Sequence, residues 1–167
     1  PGNNGGDGLV AGRELARRGF SVAGYLWKRD ADEPRAAEAR QAGVSIVRAE
    51  GDKEWQTLRR ALGRADIVLD ALLGTGVARP IEGDLGAILE QLAEVQRPAP
   101  SGNGNLTWVQ RHGLPRAARR PRIVAVDLPS GVNADSGAVD PATVPADLTV
   151  TLAGPKLGML LAPAADT

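Results

Sequence analysis

The sequence predicts a three-layer α/β/α domain, with helices on both faces of a mostly parallel sheet. Three observations point there. Short apolar runs alternate with helix-period segments along most of the chain, as parallel crossover units require. The runs are aliphatic, Ile67-Val68-Leu69 and Ile123-Val124-Ala125-Val126 among them, which is how strands buried on both faces read. With 167 residues, 43% of them hydrophobic and 3% aromatic, the chain can bury one aliphatic, alanine-rich core, so a single domain over 1–167 is expected.

The elements follow in order. The chain starts at Pro1, not Met, on a segment read as a strand-to-helix loop, so further sequence upstream is expected. From Asp7 to Arg18 the residues Leu9, Val10, Leu15 and Ala16 keep near-helical spacing, and Gly19 stands where a C-terminal cap belongs. Ser21 to Trp27 reads as a strand, with the charged Lys28-Arg29-Asp30 as the loop beyond it. A helix is expected from about Glu33 to Ala42, ended by Gly43, then a strand from Val44 to Val47. Asp52 to Leu62 reads as a helix capped by Gly63. Asp66 to Asp70 is a strand, Leu85 to Val95 a helix, and Arg122 to Val126 and Leu148 to Leu152 are strands. Between them, roughly 97–121 lapses into Pro, Gly, Asn and Arg, longer than compact α/β connections need, and reads as an inserted surface loop.

Charge and composition remove several function classes. Twenty basic and twenty acidic residues cancel, leaving no global field for nucleic acid or anionic lipid. Five arginines and no acid stand between Arg111 and Arg122, but no stacking aromatics interleave them, so a solvated loop is the expected reading. With no cysteine and His112 as the single histidine, thiol chemistry, disulfides and a Cys- or His-based zinc site are not expected. No apolar run reaches the length of about 18 residues that spans a bilayer, and no charged-then-apolar leader opens the chain. A cytoplasmic protein acting on a small molecule, with no nucleic acid and no membrane, is the expectation.

In an open parallel sheet, ligands bind beyond the carboxyl ends of the strands, where loops and helix starts offer free amides. Three segments of this sequence belong on that edge. Asn3-Asn4-Gly5-Gly6-Asp7-Gly8 precedes a helix and reads as a phosphate cradle, its glycines letting the backbone approach an anion. It is neither a Walker loop nor a dinucleotide fingerprint, and a plain turn is the alternative. Asp70, followed by Gly74-Thr75-Gly76-Val77-Ala78-Arg79-Pro80, and Asp127, followed by Pro129-Ser130-Gly131, each end an apolar strand. Each aspartate suits acid-base or cation-binding work there; a turn cap is the alternative for each.

Four segments in order, Pro1-Gly-Asn-Asn-Gly-Gly-Asp-Gly-Leu9, Asp70-Ala-Leu-Leu-Gly-Thr-Gly76, Val126-Asp-Leu-Pro-Ser-Gly131 and Thr151-Leu-Ala-Gly-Pro-Lys-Leu-Gly158, resemble the signature blocks of the NAD(P)HX epimerases, the YjeF N-terminal-domain family. The similarity spans nearly everything outside the insert. It implies a Rossmann-like domain that interconverts the R and S forms of hydrated NADH and NADPH, so that a dehydratase, separate or fused to it, can restore the cofactor. It implies substrate contacts from Asn3, Asn4, Gly5, Gly6 and Asp7, from Gly74, Thr75, Gly76, Val77, Ala78, Arg79 and Pro80, and from Asp127. It implies a potassium ion held by Asn4, Asp70 and Ser130, whose side chains all offer oxygen, as a hard cation prefers. Inversion at C6 of the nicotinamide ring needs a group that moves a proton at the C6 hydroxyl; Asp127 is expected in that role, with Lys156 assisting or stabilising charge. A homodimer is compatible with the family. Members usually carry helices and a hydrophobic strand ahead of the Pro-Gly-Asn-Asn block and further strands after it, so an excerpt of a longer, bifunctional protein is expected. A non-catalytic binding or protein-interaction module on the same fold is the competing expectation. A kinase-like use of the glycine loop lacks its phosphate-binding lysine.

Overall fold

The computed structural model describes residues 2–76, 79–97 and 120–167. Val77, Ala78 and most of the expected insert, with His112, lie outside the described residues. The helices are α1 (Gly2–Arg17), α2 (Pro34–Gln41), α3 (Gln56–Leu62) and α4 (Gly83–Gln96); the strands are β1 (Ala23–Leu26), β2 (Ser45–Arg48), β3 (Ile67–Asp70), β4 (Arg122–Val126) and β5 (Leu148–Val150). Strand and helix alternate as expected, and every ladder between these strands is parallel.

Side-chain alternation along β1 sorts the helices into layers. Leu26 faces a core of Leu9, Ala36, Ala39 and Val44, built by α1 and α2. Tyr25, together with Trp27 just past the strand, faces the larger core of Leu58, Leu62, Leu85, Ile88, Leu89, Leu92 and Ile123, built by α3, α4 and β4. The fold is thus a three-layer, Rossmann-like α/β/α arrangement. In α4, Leu85, Ile88, Leu89 and Leu92 recur at helical spacing as one buried stripe, which holds that helix to the sheet. Ala36 and Ala39, both fully buried, let α2 approach α1 closely.

The strands divide into two sheets, β1-β2 and β3-β4-β5; no described strand joins β1 to β3. Helix α1 ties the halves together, packing against both β1 and β4. The face of the second sheet opposite α4 keeps Ile67, Leu148 and Val150 exposed.

The structure corrects several boundaries. The largest correction is at the head of the chain: Asn3–Gly8 is not a loop leading into a helix, because α1 already begins at Gly2. Glycine disfavours helix by about 1 kcal/mol per residue relative to alanine, so local propensity hides this start; packing overrides it. A Cβ at Gly8 would stand 2.5 Å from that of Ala71, so glycine there is what lets the helix lie against the turn after β3. The expected helix at Asp52 starts instead with a short 3-10 turn, Lys53–Trp55, in which Glu54 and Trp55 have φ of 53° and 56°. Strand β1 is shorter than expected, and β5 ends at Val150 rather than Leu152.

Candidate active site

A cleft of about 440 Å³ opens where α1 begins and where β3 and β4 end, a volume suited to a small molecule. Its walls are Gly2, Asn3, Asn4 and Asp7 from α1, the run Leu72–Gly76 after β3, and Asp127 after β4. The structure therefore brings together Asn3, Asn4, Asp7, Gly74, Thr75, Gly76 and Asp127. Gly5 and Gly6 lie on another face of α1, against the guanidinium groups of Arg29 and Arg35. Arg79 and Pro80 are exposed and outside the cleft wall; Val77 and Ala78 fall outside the described residues. Leu72 and Leu73, which the sequence does not single out, are cleft residues as well. Their place two and three residues past a strand-terminal aspartate was the available signal.

Behind the cleft a buried polar relay passes through the backbone of Leu73. Its carbonyl accepts a hydrogen bond from Asn4 Nδ2 at 2.6 Å, and its amide donates to Ser130 Oγ at 2.9 Å. Ser130 Oγ in turn donates to Asp70 Oδ1 at 2.6 Å, while the Ser130 amide donates to Asp70 Oδ2 at 2.8 Å. Asn4, Asp70 and Ser130 are all buried. Burial pushes the Asp70 carboxyl above its ordinary range, against the downward pull of the Ser130 hydroxyl and amide and the Leu72 amide. Asn4 Oδ1 is buried with no hydrogen-bond partner. An orphaned amide oxygen, linked through Leu73 to a buried hydroxyl and carboxyl, offers oxygen donors of the kind a hard cation takes.

Asp127 is the other pole of the site. It sits in the left-handed region, with φ of 72°, which aspartate tolerates better than most residues. Its amide donates to the Val150 carbonyl at 2.8 Å, tying it to the neighbouring strand. Its Oδ1 accepts the Leu152 amide at 3.0 Å and a bond from Lys156 Nζ. Lys156 Nζ also donates to the Leu152 carbonyl at 2.7 Å, the Gly154 carbonyl at 3.1 Å and Thr151 Oγ1 at 3.2 Å. The ion pair is mostly enclosed, with side-chain exposures of 16% for Asp127 and 17% for Lys156. Lysine has three protons, and these four acceptors take all of them up. Lys156 is thus a clamp that folds the 151–156 turn around Asp127, and both hydrogen bonds described for the carboxylate fall on Oδ1.

A parallel α/β domain with a cleft at the strand ends, floored by a helix start and a carboxylate just past β4, belongs to the Rossmann-like class, in which ligands bind on that edge. Comparison with known proteins narrows this. Residues 1–158 match the family model described as YjeF-related protein N-terminus, and the chain belongs to that family. It is 36% identical to an NAD(P)H-hydrate epimerase from Clavibacter michiganensis subsp. michiganensis, over 97% of this chain and 63% of that protein. It is 35% identical to a bifunctional NAD(P)H-hydrate repair enzyme, Nnr, from Thermofilum pendens, over 99% of this chain and 28% of that protein. The chain thus spans less than two thirds of each. Among solved structures, yeast ynu0 (YNL200c) aligns with a TM-score of 0.65 at 23% identity, over 99% of this chain and 58% of that one; this likeness bears on the fold alone. No helix among the described residues is long and apolar enough to cross a membrane.

Proposed function

We propose that the chain is the epimerase portion of a nicotinamide-nucleotide repair protein, acting on the R and S forms of hydrated NADH and NADPH. The observation that carries this reading is the clamped Asp127 carboxylate on the wall of the cleft that also holds Asn3, Asn4 and Asp7. The relatives named as epimerases and repair enzymes support it. Asn3, Asp7 and Gly74–Gly76 would hold the dinucleotide, with Arg79 and Pro80 as further contacts. In ring opening, Asp127 takes the proton of the C6 hydroxyl as the C6–N1 bond breaks and its electron pair passes to the ring nitrogen, which takes up that proton, and reclosure on the other face reverses both; in the route through departure of water, a protonated Asp127 gives its proton to the leaving hydroxyl and takes one back from the water that returns. Lys156, saturated by four acceptors, keeps that carboxylate in place and offsets its charge.

Asn4, Asp70 and Ser130 would hold a potassium ion, a reading supported by the orphaned Asn4 oxygen and the buried Asp70 carboxyl. Bound there, such an ion would supply positive charge beside the buried Asp70 carboxylate. A dehydratase, fused or separate, would consume the S product, as the bifunctional relatives suggest. A cytoplasmic location and a homodimer belong to the same reading.

The test is Asp127→Asn, assayed for conversion of R- to S-NADHX against the spontaneous rate. A loss of at least about a hundredfold is expected, the scale of general acid-base assistance. Acceleration equal to the parent's would overturn the role given to Asp127.

A further inference from the structure

One feature of the cleft helix is left unexplained by ligand contacts: the adjacent glycines, Gly5 and Gly6. At 100° per residue, Asn3, Asn4 and Asp7 share the cleft side of α1 while Gly5 and Gly6 turn away from it. What they turn toward is Arg29, just beyond the carboxyl end of β1. Its side chain is only 11% exposed. Arg29 Nε donates to Glu33 Oε1 at 2.8 Å, and Nη2 lies 2.8 Å from the same oxygen. Nη1 donates to the Gly2 carbonyl at 2.7 Å. That carbonyl belongs to the first residue of α1, one residue before Asn3.

The guanidinium lies close against the helix. A Cβ at Gly5 would stand 3.0 Å from Arg29 Nη1, and one at Gly6 would stand 3.2 Å from Nη2. Arg35 Nη1 would stand 2.1 Å from the Gly6 Cβ. Arg35, however, is exposed and can swing away, whereas Arg29 is fixed at Glu33 and Gly2 and has no such freedom. Lysine cannot replace it, because one ammonium does not make the forked contact that spans a carboxylate and a carbonyl.

We infer that Arg29 is a positioning residue for the first turn of α1, and that Gly5 and Gly6 are free of side chains to seat its guanidinium rather than to let a ligand approach. The inference rests on the cleft reading above, since among cleft residues Arg29 is hydrogen-bonded to Gly2 and acts through Asn3, Asn4 and Asp7. It also makes the glycine pair and a residue about two dozen positions away one unit.

Hydrogen exchange of the unliganded protein tests the coupling. Arg29→Ala is expected to speed exchange of the Gly6–Leu9 amides about tenfold or more, with β4 unchanged. Gly5→Ala should do the same in the parent chain and add nothing in the Arg29→Ala background. In turnover of NADHX, Arg29→Ala is expected to raise KM about tenfold with kcat within about twofold, and Arg29→Lys to recover only part of the loss. If Arg29→Ala does not fold, Gly5→Ala and Arg29→Lys, singly and together, read the same coupling. Unchanged exchange at Gly6–Leu9, strict additivity of the two substitutions, or an unchanged KM would each overturn the inference. Exchange is read without substrate, so an inactive parent protein would sink the epimerase reading while leaving this one standing.

Discussion

At the scale of single residues, the site is organised by two aspartates in opposite circumstances. Asp70 is buried among neutral donors, and Asp127 is held against a cation at the cleft wall. For Asp70, potassium chloride should raise the melting temperature relative to choline chloride. At tenfold excess over its dissociation constant a bound ion contributes about 1.4 kcal/mol. Asp70→Asn should erase that difference while leaving the protein folded; a potassium response that survives the substitution would count against Asp70 as a ligand. The candidate site was readable in the sequence because both aspartates terminate unmistakable aliphatic strands. Lys156 is reached only through the resemblance, as assisting or stabilising charge; its contact with Asp127 was not readable, because it lies 29 positions away and only the turn at 151–156 brings its amine to the carboxylate.

At the scale of elements, two carboxylates away from the cleft fix where structure begins. Asp52 accepts hydrogen bonds from the Thr57 and Leu58 amides at 2.8 and 2.9 Å, and from the Tyr25 hydroxyl at 3.1 Å. Burial opposes its ionised form, but those amides outweigh it and hold the carboxyl below its usual range. It caps α3 from across the 3-10 turn, so Asp52→Ala should cost about 1–2 kcal/mol in urea unfolding, the worth of a helix cap. Asp147 anchors β4 through the Ile123 amide at 2.8 Å and pairs with Arg120 and Arg122. The Ile123 amide first, and then the two arginines, hold its carboxyl below the ordinary range. A depressed carboxyl contributes stability that is present above its unfolded pKa of about 4 and is lost as pH falls through the native value. Asp147→Asn should therefore lower the neutral plateau of a stability-against-pH curve and change its acid end less, so that the acid limb flattens. Strand and helix identity was legible here from β-branched runs and from the α4 stripe. The kink at Glu54 and Trp55 was not, because nothing in those residue types calls for a left-handed backbone.

At the scale of the molecule, the two cores on either side of β1 differ in size. The α1–α2 core rests on Leu9, Leu26, two alanines and Val44, and its sheet has two strands. The α3–α4 core buries more and larger side chains around Leu89. Local openings follow buried apolar contacts, so amides of β2 and α2 should exchange faster than those of β4, and equal protection would contradict this ordering. Leu89, almost wholly buried, should cost about 2–5 kcal/mol when cut to alanine. The alternation that gives the fold class was visible in the sequence. The division of the sheet was not, since strand pairing across it depends on which backbones meet rather than on any residue's preference.

The backbone at Asp127 sets a limit on redesign. Glycine would adopt its φ of 72° without the penalty of about 1 kcal/mol that a side chain carries there. Asp127→Gly would nonetheless strand the enclosed Lys156 ammonium and the Leu152 amide, a larger loss than the strain it relieves, so a search for heat-tolerant variants should retain the aspartate at this position.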